Sequence, residues 1–559
     1  METRNIIAAI SLSAAVIILY SLFFAPPPVT KENIAEKNKT EQNSDTPSLD
    51  QKENVTEISR EDALKESERV LFENQSIVGS ISLKGAAIDD LTFKEYNVSL
   101  DSDEKVNLLA PKNSRDGYYV ESGFITSDKN IDIPNADSIW SVSGSNKLTD
   151  QSPIKLTWTN DQGITFEKEI ALDEKFLFTI KQRVINNSDK EYDFYSYGQI
   201  IRNKIPDDLS DFYILHTGYL SVLDDELYEE DYDDIQEQKF TKISQKGWLG
   251  ISDKFWLTSL IPSKGKEFKT TFDYKNKFRA NFVATEPLEL GKNSSIEDTL
   301  QIIVAAKRVD VIDQYEETLK IEKFDLAIDW GILYWITRPL FTAIDYFFKI
   351  FGNYGLAIIA VTVCIRIAFF PLANFSFRSM AKMKALQPEQ ARLKELHKSD
   401  KLALQKATMA LFKRERVNPM SGCLPILVQL PVFFALYKVL FVTIEMRHMP
   451  FYGWIHDLSE RDPTSLFNLF GLLPYDVPGF LVIGAWPVAM GASMWVQQKL
   501  NPAPTDPMQA KIFAWFPVFL TVILAPFPSG LVIYWTANNI LTMAQQVFIM
   551  KRTKIKTTT

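Results

Sequence analysis

Cysteine and histidine are both scarce in this 559-residue chain, which has two of the first and four of the second. Cys364 and Cys423 both lie in apolar C-terminal segments, so no disulfide framework holds the large polar region. His216, His397, His448 and His456 fall at no metal-ligand spacing, which gives no reason to expect a metal. His456 and Asp457 have no nucleophile motif beside them and read as a loop pair. Neither G-x-x-x-x-G-K-[ST] nor H-E-x-x-H occurs, so nucleotide-driven and metalloprotease chemistry have no support. A formal net charge of -9 argues against a general nucleic-acid binder. The sequence therefore gives no catalytic residue, no cofactor and no specific nucleic-acid partner to expect.

Long apolar runs are present, but only at the N-terminus and in the last third. Residues 6–24, "IIAAISLSAAVIILYSLFF", approach bilayer-spanning length, for which about 20 residues are needed. The run ends in "FFAPPP" without an A-x-A cleavage pattern, so residues 1–24 read as an uncleaved signal anchor. Residues 25–64 are rich in Pro, Lys, Glu, Asn, Ser and Thr and read as a flexible linker. From 65 to 320 the pattern becomes short alternating runs broken by turn residues. "IKLTWTNDQGITFEKEIAL" (154–172) reads as strand, turn, strand, and "FLFTIKQRVINNSD" (176–189) as a further strand. Many such strands predict an antiparallel β-sandwich. The acidic run "DDELYEEDYDD" (224–234) reads as a solvated loop. Residues 321–352 carry aromatics and charges at helical spacing and read as an amphipathic helix lying in the membrane interface.

The remaining apolar segments form a unit over 353–550, with spans at about 354–372, 423–442, 480–498, 512–527 and 531–549. Pro425 and Pro431 interrupt the second of these. With the anchor that makes six spans. The loop 373–420 carries eleven basic against four acidic side chains, an excess of seven. The tail 551–559 is basic with no acid. Both features place these segments in the cytoplasm, and an even span count puts the N-terminus there too. The sandwich then lies outside. The basic loop has two stretches of helical periodicity separated by "HKSDK" and reads as an amphipathic hairpin. Its Met380, Met383 and Met409 suit variable apolar partners or an ordinary hairpin core equally well.

One residue breaks the apolar pattern most sharply. "VTVCIRIAFFP" (361–371) holds Arg366 within a span, where a charge costs about 2.5–3.5 kcal/mol on insertion scales. Snorkelling to the cytoplasmic end is one reading. Four apolar residues, Ile367 to Phe370, stand between it and the boundary, and Thr362 shares its helix face at i−4. Gln429, Asn538, Asn539 and Thr542 are polar residues of other spans, and none of the five C-terminal spans contains an acid. The reading preferred here is a charge facing a hydrated cavity, where polar stretches of a translocating chain can reside. A proton or ion pump would want an intramembrane carboxylate instead.

These residues, with "SMAKMKALQPE" (379–389), "KRERVNPMSGCLPILVQLPVFFALYKVL" (413–440), "PFYGWIHDLSERDP" (450–463), "NLFGLLP" (468–474), "FPSGLVIYWTANNILTMAQQ" (527–546) and "KGWLGISDKFWLTSLIP" (246–262), resemble the YidC/Oxa/Alb family of membrane protein insertases, in its Gram-negative form. The resemblance implies a polytopic α-helical membrane protein of six spans. A five-helix insertase core forms a hydrophilic groove, and a large periplasmic antiparallel β-supersandwich domain precedes it. It implies Arg366 as the groove arginine, with Thr362, Gln429, Trp535 and Asn538 around it. It implies a cytoplasmic hairpin that receives nascent chains, to which Met380, Met383, Lys384, Met409 and Arg414 belong. The implied activity is insertion and folding of inner-membrane proteins, alone or with the Sec translocon. Implied partners are nascent membrane proteins, the lipid bilayer, the ribosome and the signal recognition machinery. Pro526 stands where the resemblance leads one to expect a bulkier residue, and the short tail does not imply strong ribosome tethering. A small-molecule transporter would need broken spans in two matching halves, which are not seen. A carbohydrate-binding envelope protein is the other alternative and rests on the sandwich alone.

Overall fold

The structure is a computed structural model that describes residues 58–206, 215–397, 400–415, 417–418, 424–475, 477–501 and 507–552. The expected anchor at 1–24, most of the linker, Cys423 and the end of the basic tail lie outside the described residues.

Residues 69–306 form two facing sheets, each antiparallel within itself, joined at one edge by a parallel pairing of Arg69–Glu73 with Ser141–Thr149. One sheet orders its strands Ser141–Thr149, Ser152–Thr159, Ile164–Leu172, Leu177–Asn186, Ser295–Ala306, Trp256–Ile261, Gly247–Ser252, Gly218–Leu223 and Glu226–Asp231. The other runs Arg69–Glu73, Ile77–Ser82, Ile88–Asn97, Tyr118–Ile125, Tyr192–Arg202, Phe278–Ala284, Phe268–Tyr274 and Phe240–Ser244, with Lys105–Leu109 also on Ile88–Asn97. Alternation explains the layering. In Ile164–Leu172 every second residue from Ile164 is buried, including Lys168, as a half-covered strand requires. Aromatic pairs bridge the two sheets: Phe72 to Phe178 at 5.2 Å, Phe93 to Trp256 at 4.8 Å and Tyr219 to Phe272 at 4.9 Å between ring centroids. Such rings carry much of a core's apolar area.

The acidic run corrects the loop expectation. Asp224 and Asp225, at φ 50° and 69°, make a tight turn. Glu226–Asp231 then pairs with Gly218–Leu223 from Leu223↔Glu226 to Gly218↔Asp231, and Tyr232 is buried. Main-chain pairing satisfies the backbone, while Glu226, Glu229 and Asp231 stay exposed at the sheet edge. Charged edges of this kind block further pairing.

Two short helical stretches apart (Arg60–Ala63 and Tyr232–Glu237), the helices follow the sandwich. They are α1 (Val309–Leu319), α2 (Tyr334–Phe351), α3 (Tyr354–Ala368), α4 (Phe370–Ala385), α5 (Gln387–Leu396), α6 (Lys401–Arg414), α7 (Leu424–Val442), α8 (Ala485–Leu500), α9 (Pro507–Leu524) and α10 (Ser529–Arg552). The central helix α10 touches α3, α4, α7 and α8, while α9 packs on α8 and α2 covers α3 and α7. Helix α2 leaves Trp335, Tyr346 and Ile350 exposed and buries Leu340, Phe341 and Ile344. Helix α7 is continuous through Pro431, so the expected interruption is absent. Pro425 is its second residue, where a missing N–H costs nothing.

The first core span also ends differently from its expected limit at 372. Helix α3 stops at Ala368, and α4 leaves it at 68°. Pro371 lies in the first turn of α4. It has no N–H to continue the α3 ladder. Over their described residues no single helix is long and apolar enough to cross a bilayer, while this bent pair meets that standard together.

Candidate functional site

Helix α3 is fixed at its far end by Asn353, whose side chain accepts from Leu356 N at 3.1 Å and donates to Pro450 O at 3.2 Å. Arg366 therefore falls in the last turn, one residue short of the bend's two-residue neighbourhood at Ala368 and Phe369. Its guanidinium meets only neutral groups. Arg366 Nε donates to Asn538 Oδ1 at 2.9 Å, Nη2 donates to the same oxygen, and Nη2 reaches Gln429 Oε1 at 3.4 Å. Gln429 Nε2 donates to the Tyr534 hydroxyl. Tyr534 and Asn538 are four residues apart on α10 and so share one face. Three helices thus converge: α3 supplies the charge, α7 the glutamine, and α10 the asparagine and tyrosine. Among the described residues no carboxylate pairs with Arg366.

A cleft of about 30 Å³ opens beside it, bordered by Ile365, Arg366, Phe369, Leu372, Gln429 and Val432. That is room for about one or two waters.

The other expected site residues fall as follows. Thr362 is buried, and its hydroxyl donates to Ile358 O at 2.7 Å, within its own helix. Trp535 packs edge-on against Phe433, with ring centroids 4.6 Å apart. Met380 is buried with Ala373, Phe377 and Ile549, and Met383 packs at the edge of that cluster. Met409 and Lys384 are exposed. Arg414 is exposed and pairs with Glu415 at 3.0 Å. Helices α5 and α6 contact each other as a hairpin.

Three residues escaped the sequence reading. Tyr534 completes the amide cluster. Lys438, within an apolar span, pairs with Asp329 at 2.7 Å, and both are largely buried, with side chains 11% and 19% exposed. A lysine in an apolar run and an aspartate among aromatics were the available signals.

Residues 69–343 match the family described as YidC periplasmic domain, and residues 346–557 match the 60Kd inner membrane protein family. A membrane protein insertase YidC of Pelagibacter ubique (strain HTCC1062) is 72% identical over 559 residues, covering 100% of both chains. The chain belongs to the YidC family of membrane protein insertases. The YidC of Brucella suis biovar 1 (strain 1330) is 42% identical and covers 99% of this chain and 96% of its own. That of Rickettsia rickettsii (strain Sheila Smith) is 44% identical, with 98% and 99% covered. As a YidC-family insertase the chain acts on membrane proteins in the lipid bilayer and is not an enzyme. Its sandwich is the family's periplasmic domain, and its helical part is that of an inner-membrane protein.

In this YidC-family chain the two parts are tied together by charge. Asp329 Oδ2 accepts from Lys438 Nζ and also from His216 N at 2.9 Å. One carboxylate thus joins α7, the approach to α2 and the sandwich. Gly331, at φ 70°, brings its backbone against the Lys438 stem, where a Cβ would meet Cε at 3.1 Å. Any L side chain there is strained.

Proposed function

We propose that Arg366 is the substrate-facing charge of this insertase, and that polar stretches of a nascent membrane protein lodge beside it while crossing. The observation that carries this is the neutral surround. Asn538 and Gln429 hold the guanidinium in place without cancelling its charge. An ion pair would have spent the field on a fixed partner. Amide oxygens hold the arginine at the bend and leave it attractive to polar or acidic groups. The lone charge favours chains with acidic or polar segments bound for the periplasm over small cations.

On this reading the bend between α3 and α4 carries the chain from the core into the basic hairpin. Met380 and Met383 belong to the hairpin's packed root, and Met409, Lys384 and Arg414 to its exposed surface. Both termini and the hairpin are cytoplasmic, and α2 lies in the outer interface. The Sec translocon, the ribosome and the signal recognition machinery are partners on the same reading.

Residues two apart on a helix face different sides, so Cys364, an exposed free thiol, does not report on Arg366. A thiol placed at Gln429, on the cleft beside it, does, as Q429C with Cys364 and Cys423 changed to serine. This variant offers a direct test. A stalled nascent membrane protein with a single cysteine, placed along its first span, is oxidised against this thiol in membranes. Disulfide formation at one narrow stretch of positions supports the reading. Equal yields at all positions, or none, contradict it.

A further inference from the structure

A large cleft lies away from Arg366, where the sandwich meets the helical part. It measures about 800 Å³, within the usual range of small-ligand sites. Its walls come from the end of Ile88–Asn97, the start of α1, the inner face of α2, and the turn after α7. Aromatic and apolar side chains, such as Phe341, Phe348 and Met449, form part of the lining.

The charges in this cleft are nearly balanced, with four Lys/Arg against five Asp/Glu. Most are already paired. Arg308 meets Asp310 at 2.7 Å and Glu95 at 3.5 Å, Arg338 meets Asp313, and Lys349 meets Asp345 at 2.7 Å. Two are left over. Glu445 accepts one backbone N–H, that of Val309 at 2.7 Å, and its Oε2 has no partner. Arg447 donates to two backbone carbonyls, Asn97 O at 2.7 Å and Val98 O at 3.0 Å, and lies over the rings of Phe255 and Trp256 at 5.9 and 5.8 Å. Neither joins an ion pair among the described residues. They lie two positions apart in the chain and are of opposite sign, Glu445 held by the first backbone N–H of α1 and Arg447 by carbonyls at the end of Ile88–Asn97.

We propose that this cleft binds the headgroup of a zwitterionic aminophospholipid, with its phosphate at Arg447 and its ammonium at Glu445. A ligand with a single charge satisfies one of these residues and leaves the other. The near-zero balance of the cleft disfavours a purely anionic lipid. The apolar lining takes the glycerol and the first acyl carbons, and α2, with its exposed Trp335 and Tyr346, lies where an interfacial helix meets headgroups. The bound lipid then bridges sandwich and membrane core.

The test is native mass spectrometry of the full chain in detergent, titrated with phosphatidylethanolamine, phosphatidylcholine or phosphatidylglycerol of matched acyl chains. The expected result is retention of phosphatidylethanolamine about tenfold tighter than phosphatidylglycerol, the size of one charge-assisted contact. Phosphatidylcholine, which lacks N–H donors, falls between. E445Q keeps an oxygen for Val309 N, so the fold persists, and it removes the preference. R447Q weakens binding of the aminophospholipid, and R447K retains most of it. Equal retention of the three lipids, or a preference unchanged in E445Q, overturns the proposal. So does free phosphoethanolamine binding as tightly as the lipid. Binding in detergent requires no insertion activity and no role for Arg366, so failure here and failure of the Arg366 reading are separable.

Discussion

Removing Lys438 should loosen the whole junction between sandwich and core. In K438M, Asp329 loses the cation at 2.7 Å but keeps its N–H donors from His216 at 2.9 Å and Gly331 at 3.0 Å. Stripping one partner from a buried pair costs about 3–5 kcal/mol. Here the carboxylate is 19% exposed and retains two donors, so the loss works out at about 2–3 kcal/mol. In a unit of this size that is a melting shift of roughly 5–10 °C. The double variant D329N/K438M carries neither charge and should recover to within about 1 kcal/mol of the parent, because two neutral groups do not pay the desolvation cost. The assay is thermal melting in detergent, with hydrogen exchange over residues 324–341 to localise the loss. A K438M melt equal to the parent's, or a double variant as unstable as the sum of the two singles, refutes the reasoning.

Three further outcomes are expected. Burial, opposed by the Val309 N–H, raises the Glu445 carboxyl from the usual 4.5 to about 7, with Asp310 adding to the rise and Arg308 opposing it. Between those values the folded chain holds a proton that the unfolded chain releases, so this site loses stability as pH rises from 5 to 8; melting of E445Q should be flatter with pH, and equal slopes count against the placement of Glu445. Gly491 on α8 faces Thr521 on α9 so closely that a Cβ would collide with its hydroxyl, and G491L should therefore lower stability by about 1–3 kcal/mol through overpacking, read as a lower melting temperature. M380A empties part of a buried cluster and should cost about 2 kcal/mol or more, whereas M409A, at a side chain 56% exposed, should be neutral; hydrogen exchange at the end of α10 distinguishes them.

The strands were readable because alternation and turns are local signals. The expected strand, turn and strand of 154–172 appear as Ser152–Thr159 and Ile164–Leu172, paired from Ile154↔Ile170 to Thr159↔Thr165, with Gly163 at φ 83° in the turn. The acidic run was misread because charge pattern was weighed above pairing. Its strand exists because Gly218–Leu223 offers it a neighbour, and that neighbour is set by tertiary structure. Arg366 stood out as a lone charge in an apolar run. Its surround did not, because Gln429 lies 63 residues away and Asn538 172 residues away in the chain. The bend after α3 has a local signal in Pro371, which can equally end or kink a helix. Lys438 and Asp329, 109 residues apart, became informative only when brought together.

The most direct measurement is insertion of a short single-spanning protein into liposomes that contain only this chain, read by protease protection. Parent, R366A and R366K are compared at matched reconstitution. The account predicts insertion by the parent, loss in R366A and substantial rescue in R366K, because the lysine restores the charge but not the forked hydrogen bonds. Equal insertion by all three contradicts it, and Arg366 is then a structural residue of the bend.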